Sequence, residues 1–237
     1  RYVMSLSGKT KLFINSILDL ILPRFCCACL IKLSSNEDTI CKICLSRIQT
    51  ASKERLKREF DRKFLNKNIV SDFFSPFVFE KDKELQYAIH SLKYENKFPI
   101  GIFLGKTLAN RIKINRPYWN IDLIIPIPLH QLKKAERGYN QSFYIAKGIG
   151  NILKINFSNR VVKRIKYTES QTTMTLNERE ENIFGAFRVR NKNAVKSKNI
   201  LLVDDVITTG ATISECGKIL LEAGAKQIYA ASVAIAD

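Results

Sequence analysis

Acidic side chains are scarce in this sequence. Asp and Glu number 22 against 39 Lys and Arg, a formal charge of +17 with a pI near 9.7. Such a surplus favours polyanionic partners: nucleic acid, acidic lipid or phosphorylated ligands. Lys, Asn and Ile are all abundant, so part of the excess also fits the codon bias of an AT-rich genome. Long apolar runs are missing too. No span of about 20 uninterrupted apolar residues exists, so no membrane crossing is expected. The apolar segment from Leu12 to Leu22 is interrupted by Asn15 and Asp19 and lacks a small-residue cleavage site. It reads as an amphipathic helix, and a cytoplasmic protein is expected. No internal repeat is visible, and no helix-turn-helix, which weighs against a transcriptional regulator. What remains, 46% hydrophobic and 26% charged, is globular in composition.

The most informative stretch is Asn199 to Cys216, NILLVDDVITTGATISEC. The apolar run Ile200-Leu201-Leu202-Val203 suits a parallel strand covered on both faces. It ends in the adjacent acids Asp204 and Asp205, and a turn of Thr and Gly then opens a helical pattern. Ligands of open α/β sheets bind at the carboxyl ends of the strands. Amides and hydroxyls at such a helix start, with the positive end of the dipole behind them, make a phosphate cradle. Two acids facing a phosphate would repel it, whereas they suit the hydroxyls of a sugar. A 5-phosphorylated ribose satisfies both halves. The whole string resembles the 5-phosphoribosyl 1-pyrophosphate (PRPP) signature of type I phosphoribosyltransferases.

Upstream, Cys26-x-x-Cys29 and Cys41-x-x-Cys44 form two ligand pairs eleven residues apart. Paired thiolate knuckles close a tetrahedral sulfur site, and with all four positions filled by protein the metal is expected to be structural. Cys27 competes with Cys26 as the first ligand; disulfides or plain buried cysteines are the alternatives. Arg47 to Lys67 reads as a charged helical stretch, either a solvated linker or part of a basic surface for a nucleic-acid backbone. Domains are accordingly expected at 1–48 (amphipathic helix and cysteine module), 49–74 (basic linker) and 75–237.

Within the last, strands are expected over Ser75–Glu80, Ile121–Pro128, Asn159–Tyr167, Ile183–Val189 and Ala225–Ala236. Helices are expected over Glu84–Tyr94, Phe98–Ile114 and from Tyr139. The segment Leu129–Gly138 reads as a donor-rich loop at the same sheet edge as Asp204. Its His130, Lys133, Lys134 and Arg137 are candidates to neutralise a leaving pyrophosphate. A solvated loop is the plainer account of any single Lys. The hydrophilic segment from Thr168 to Asn182 reads as a lid, with Arg164, Gln171, Arg179 and Asn182 as its residues of interest.

Taken together, these motifs resemble the ComF family of phosphoribosyltransferase-like proteins. The residues carrying the resemblance are the CxxC pairs, Leu92-Lys93-Tyr94, Ile125 to His130, Arg137 to Gln141, Ser170-Gln171 with Arg179 and Asn182, and Val203 to Thr212. The resemblance implies an α/β fold: a type I phosphoribosyltransferase-like parallel sheet flanked by helices, with a small amino-terminal zinc module. It implies a Zn2+ ion on Cys26, Cys29, Cys41 and Cys44. Asp204 and Asp205 would hold the ribose hydroxyls, and Thr208, Thr209, Gly210, Ala211 and Thr212 the 5-phosphate of PRPP. Mg2+ would bridge ligand oxygens, and Arg137 would join the two acids in catalysis. The implied role is DNA uptake in natural transformation (competence), with single-stranded DNA and DNA-uptake or recombination proteins as partners. The alternative is a salvage transferase moving ribose 5-phosphate from PRPP to an unidentified base.

Overall fold

The computed structural model describes residues 22–168 and 181–236. The expected helix from Leu12, and Ser170, Gln171 and Arg179 of the expected lid, lie outside the described residues.

The centre of the molecule is a parallel sheet. Its strands are β1 (Asp72–Phe74), β2 (Phe77–Val78), β3 (Leu123–Pro126), β6 (Asn199–Ile207) and β7 (Gln227–Ile235). The order is β1-β7-β6-β3, with β2 also pairing β7 further along the same edge. Ile200, Leu201, Leu202 and Val203 are all fully buried. Each such aliphatic side chain contributes on the order of 1.5–3 kcal/mol by leaving water. A continuous apolar run can serve as a strand only where both faces are covered, and helices on the two sides cover them. The small hairpin of β4 (Val162–Arg164) and β5 (Phe187–Val189) is antiparallel and separate from the main sheet.

Helices α1 (Lys42–Arg47), α2 (Lys53–Lys63), α3 (Glu84–Tyr94), α4 (Phe98–Asn115), α5 (Gln131–Arg137), α6 (Gln141–Leu153) and α7 (Ala211–Glu222) complete the described fold. Helices α4 and α6 cross at very close range. A Cβ on Gly105 would lie 2.1 Å from the Ile145 carbonyl oxygen, and one on Gly148 would lie 2.4 Å from that of Ile102. Only glycine permits this approach, and it fixes the start of α6 beside the end of β6.

Three expectations need correction. The strand expected over Ser75–Glu80 begins earlier, at Asp72, and breaks at Pro76 into two pieces, since proline lacks the amide a continuous ladder requires. The 129–138 segment is not a loop: His130 caps a helix that runs to Arg137, its Nδ1 accepting from the Leu132 amide at 3.3 Å. The charged run from Arg47 is neither continuous nor simply solvated. Residues 48–52 are extended, Thr50 bridges Phe77, and α2 buries Leu56, Glu59 and Lys63. Phe64, just after it, packs against Phe73 of β1, ring centroids 5.6 Å apart. Most charges of α2 face solvent, while the docked face holds Leu56 and the paired Glu59 and Lys63.

Candidate phosphoribosyl site and cysteine cluster

Strand β6 outruns its neighbour. Pro126, the last residue of β3, pairs with Val203, while β6 continues through Asp204 and Asp205 to Ile207. The following turn therefore stands at the carboxyl edge of the sheet, beside the segment that leaves β3. Gly210 has φ +78° and precedes the first residue of α7. A Cβ there would lie 2.8 Å from the Phe64 ring, so both the backbone conformation and the space require glycine. The Thr209 hydroxyl accepts from the Ala211 amide at 3.3 Å. Among the described residues, no hydrogen bond engages the amides of Thr208, Thr209 and Gly210. Asp204, Val206, Thr208, Thr209, Gly210 and Thr212 line a small cavity of about 30 Å3 at this turn.

The two acids have different surroundings. Asp204 accepts from the Ser142 hydroxyl and from the Asp205 amide, both at 2.9 Å. Burial, and then the charge of Asp205, push its carboxyl up to about 7. Among the described residues it has no ion pair. Asp205 is 5% exposed, and its Oδ2 lies 2.5 Å from Lys93 Nζ. Burial alone would raise Asp205, but the Lys93 ammonium outweighs it and holds this carboxyl below its ordinary range. Burial works against the charge on Lys93 as well, and the Asp205 carboxylate overrides it, so the lysine pKa is raised. Arg137 is close by: its guanidinium lies over the Tyr94 ring, 5.3 Å from the centroid, and donates to Gln141 Oε1. Lys93 was visible in the sequence only as part of the Leu92-Lys93-Tyr94 motif. Nothing in a lysine at a helix end signals an acid 112 positions later, and that pairing is decided by where α3 lies.

The other candidates divide. His130 meets Tyr167 edge-on, and Lys133 donates to the Thr168 carbonyl at 2.9 Å, so these two face the start of the expected lid. Lys134 and Arg164 line a second, larger cavity of about 440 Å3, together with Pro128, Asn140, Phe143, Lys163 and Arg190. The Arg164 guanidinium also donates to the Thr168 hydroxyl and lies over the Phe187 ring. Asn182 is half-buried just before β5. The hairpin is tied to the signature helix, because Glu215 of α7 accepts from the Gly185 amide at 2.8 Å.

At the amino-terminal side, the sulfurs of Cys26, Cys29, Cys41 and Cys44 all lie within 4.8 Å of one another, with Cys29 and Cys41 at 3.8 Å. A tetrahedral site with metal–sulfur bonds of about 2.3 Å has sulfur–sulfur edges of about 3.8 Å. The four cysteines are thus spaced to hold a metal ion. Burial would raise the Cys26 thiol, but the Cys41, Cys29 and Ala28 amides outweigh it and lower the thiol to about 7. Cys27 stands outside the cluster, its thiol pushed up to about 12 by burial and by Cys26. This resolves the competition between the two neighbours in favour of Cys26.

Comparison with known proteins gives this geometry a class. A family model described as "Phosphoribosyl transferase domain" matches residues 140–236. Residues 140–236 are thus similar to a phosphoribosyl transferase domain, and they supply strands β6 and β7 of the parallel sheet and the helices α6 and α7 beside it. Competence protein F of Haemophilus influenzae is 33% identical over 148 residues, 61% of this chain and 65% of that protein. DNA utilization protein YhgH of Escherichia coli K12 is 29% identical over 61% of this chain and 64% of its own length. Competence protein ComFC of Bacillus subtilis is 33% identical over 43% of this chain and 39% of its own. The chain thus spans just under two thirds of Competence protein F and YhgH. It is a homologue of Competence protein F, ComFC and YhgH, the relatives that the ComF resemblance leads one to expect. Among the described residues, no helix is long and apolar enough to cross a membrane.

Proposed function

We propose that the protein acts in DNA uptake as a ComF-like component that binds PRPP at the β6–α7 turn and handles single-stranded DNA. The observation carrying this reading is the junction of Asp204 with an unengaged amide turn at the sheet edge. The 5-phosphate would take the amides and hydroxyls of Thr208 to Thr212, and Asp204 the ribose hydroxyls, with Asp205 behind it held by Lys93. Phosphate at a helix start gains from oriented N–H groups and from the dipole together. Asp204 fits a ligand that arrives with a cation: its carboxyl, raised to about 7 and without an ion pair among the described residues, would ionise once positive charge is supplied. Mg2+ bound together with PRPP would supply that charge beside Asp204. Zinc suits the four-cysteine cluster, since four thiolates in tetrahedral spacing leave no open position and favour a structural ion. The names of the relatives, competence and DNA utilization proteins, support the DNA-uptake role.

Calorimetry with PRPP and Mg2+ tests the site. Wild type should bind, and Asp204→Ala should lose most of the heat. Equal binding by both would remove the site from consideration. A transferase is the second reading, supported by the intact acid pair beside Arg137. Its mark would be pyrophosphate release from PRPP with one of a panel of bases, catalysed by positioning and charge neutralisation.

A further inference from the structure

The 440 Å3 cavity is separate from the turn cavity: the two have no lining residue in common. It lies between the start of α6 and the β4–β5 hairpin. Its cations come from two elements and from just beyond a third: Lys134 of α5, Lys163 and Arg164 of β4, and Arg190 after β5. Among the described residues, no carboxylate lines it, so none of them neutralises these charges within the cavity wall. The side chains of Phe143 and Tyr144 share the wall, standing edge to face with centroids 5.2 Å apart. Arg164 Nε is buried and has no hydrogen-bond partner among the described residues. Such an atom retains its full demand for an acceptor, and an entering anion could meet it.

Four cations with no carboxylate among the described lining residues, beside aromatic surface, in a space of this size match one ligand chemistry. The cations serve phosphate, the aromatic edges serve a base, and about 300 Å3 or more is the usual size of a small-molecule site. We infer that this cavity binds a nucleotide unit, its phosphate set among Lys134, Lys163 and Arg190 and its base against Phe143 and Tyr144. The unit comes either from a single strand or from a free nucleotide. The single-strand source rests on the DNA half of the proposed function and is independent of PRPP binding at the turn.

The test uses the full chain and a fluorescent oligothymidylate, with dTMP as competitor. The double variant Lys163→Ala/Arg190→Ala leaves the PRPP turn untouched. A control, Lys57→Ala/Arg58→Ala, removes the same charge from the exposed face of α2. Loss of this phosphate site should weaken oligonucleotide binding about tenfold or more and lower the salt slope by about 0.7. The control should change affinity less than about twofold, and PRPP heats should be unchanged in both. Competition by dTMP supports a site for a single nucleotide unit, whereas failure of dTMP with the cavity loss intact supports the strand as source. Equal affinity in the cavity variant and wild type, or equal loss in the control, overturns the assignment while the DNA reading stands. If wild type binds neither probe, the cavity assignment and the DNA half of the function fall together, and PRPP binding is unaffected by that result.

Discussion

Lys93 and Asp205 form the most consequential side-chain pair in the molecule. The lysine side chain is 23% exposed and the aspartate 6%, so neither charge is well served by water. Truncating one partner of such a pair strands the other, which costs about 3–5 kcal/mol. Lys93→Ala should therefore unfold at markedly lower denaturant, and adding Asp205→Asn should recover most of the loss. A Lys93→Ala variant as stable as wild type would show that the pair is not formed in solution. Asp204 gives a pH prediction of the opposite kind. Its folded carboxyl titrates near 7 rather than at its ordinary 3.8, so the folded state binds that proton more tightly than the unfolded chain. The resulting stability is complete below about pH 4 and is lost as pH rises through 7. Asp204→Asn, which keeps an acceptor for Ser142, should then melt higher than wild type at pH 8 without ligand and about equally at pH 4. A difference that does not vary with pH would refute the burial of this acid.

At the scale of elements, Gly210 joins two parts of the chain far apart in sequence. Its φ of +78° and the Phe64 ring against its α-carbon mean that a methyl group has no room. Gly210→Ala should cost about 1–3 kcal/mol and displace the turn, so PRPP affinity should fall more than a stability loss alone explains. Unchanged calorimetric affinity would argue that the turn does not receive phosphate. The Gly-Thr turn, the strand before it and the helix after it were all legible in the sequence, because each has its own local signature. The same holds for the Glu84–Tyr94 helix, whose apolar spacing alone gives its bounds. Contacts set by tertiary placement were not legible. Phe64 under Gly210 and Lys93 on Asp205 have no local signature, and α5 was hidden in a segment whose charges read as loop. The cysteine cluster was legible because CxxC spacing is itself a local geometry. If the cluster holds a metal ion, a chelator should raise amide exchange over residues 24–48, where amide–sulfur bonds such as Cys41 N–H to Cys26 Sγ (3.3 Å) depend on the thiolates. Exchange in β6 and β7 should stay slow, since their partners are one another. Uniform loss of protection would mean that the cluster holds the whole fold together.

The molecule as a whole carries +17, yet its charges are not equivalent. Lys63 is spent inside, paired with Glu59 at 2.7 Å and donating to the Ala236 carbonyl. Arg116 is likewise bound to Asp72 at 2.9 Å. By contrast, Lys134, Lys163, Arg164 and Arg190 share a cavity wall in which no described residue is a carboxylate. A polyanion would therefore be met by part of the surplus only, and its binding should follow counterion release. The logarithm of affinity for single-stranded DNA falls with the logarithm of salt at about 0.7 per phosphate contacted. If PRPP is seated by oriented amides and one acid at the turn, its binding should depend on salt far less. Asp204→Ala separates the two surfaces. It should abolish PRPP binding while the DNA affinity and its salt slope stay within about twofold of wild type, because Asp204 lines the turn cavity and no part of the basic one. A joint loss would mean that strand and sugar phosphate occupy one continuous site, with Arg164, whose charge is felt by Asp204, as the link between them.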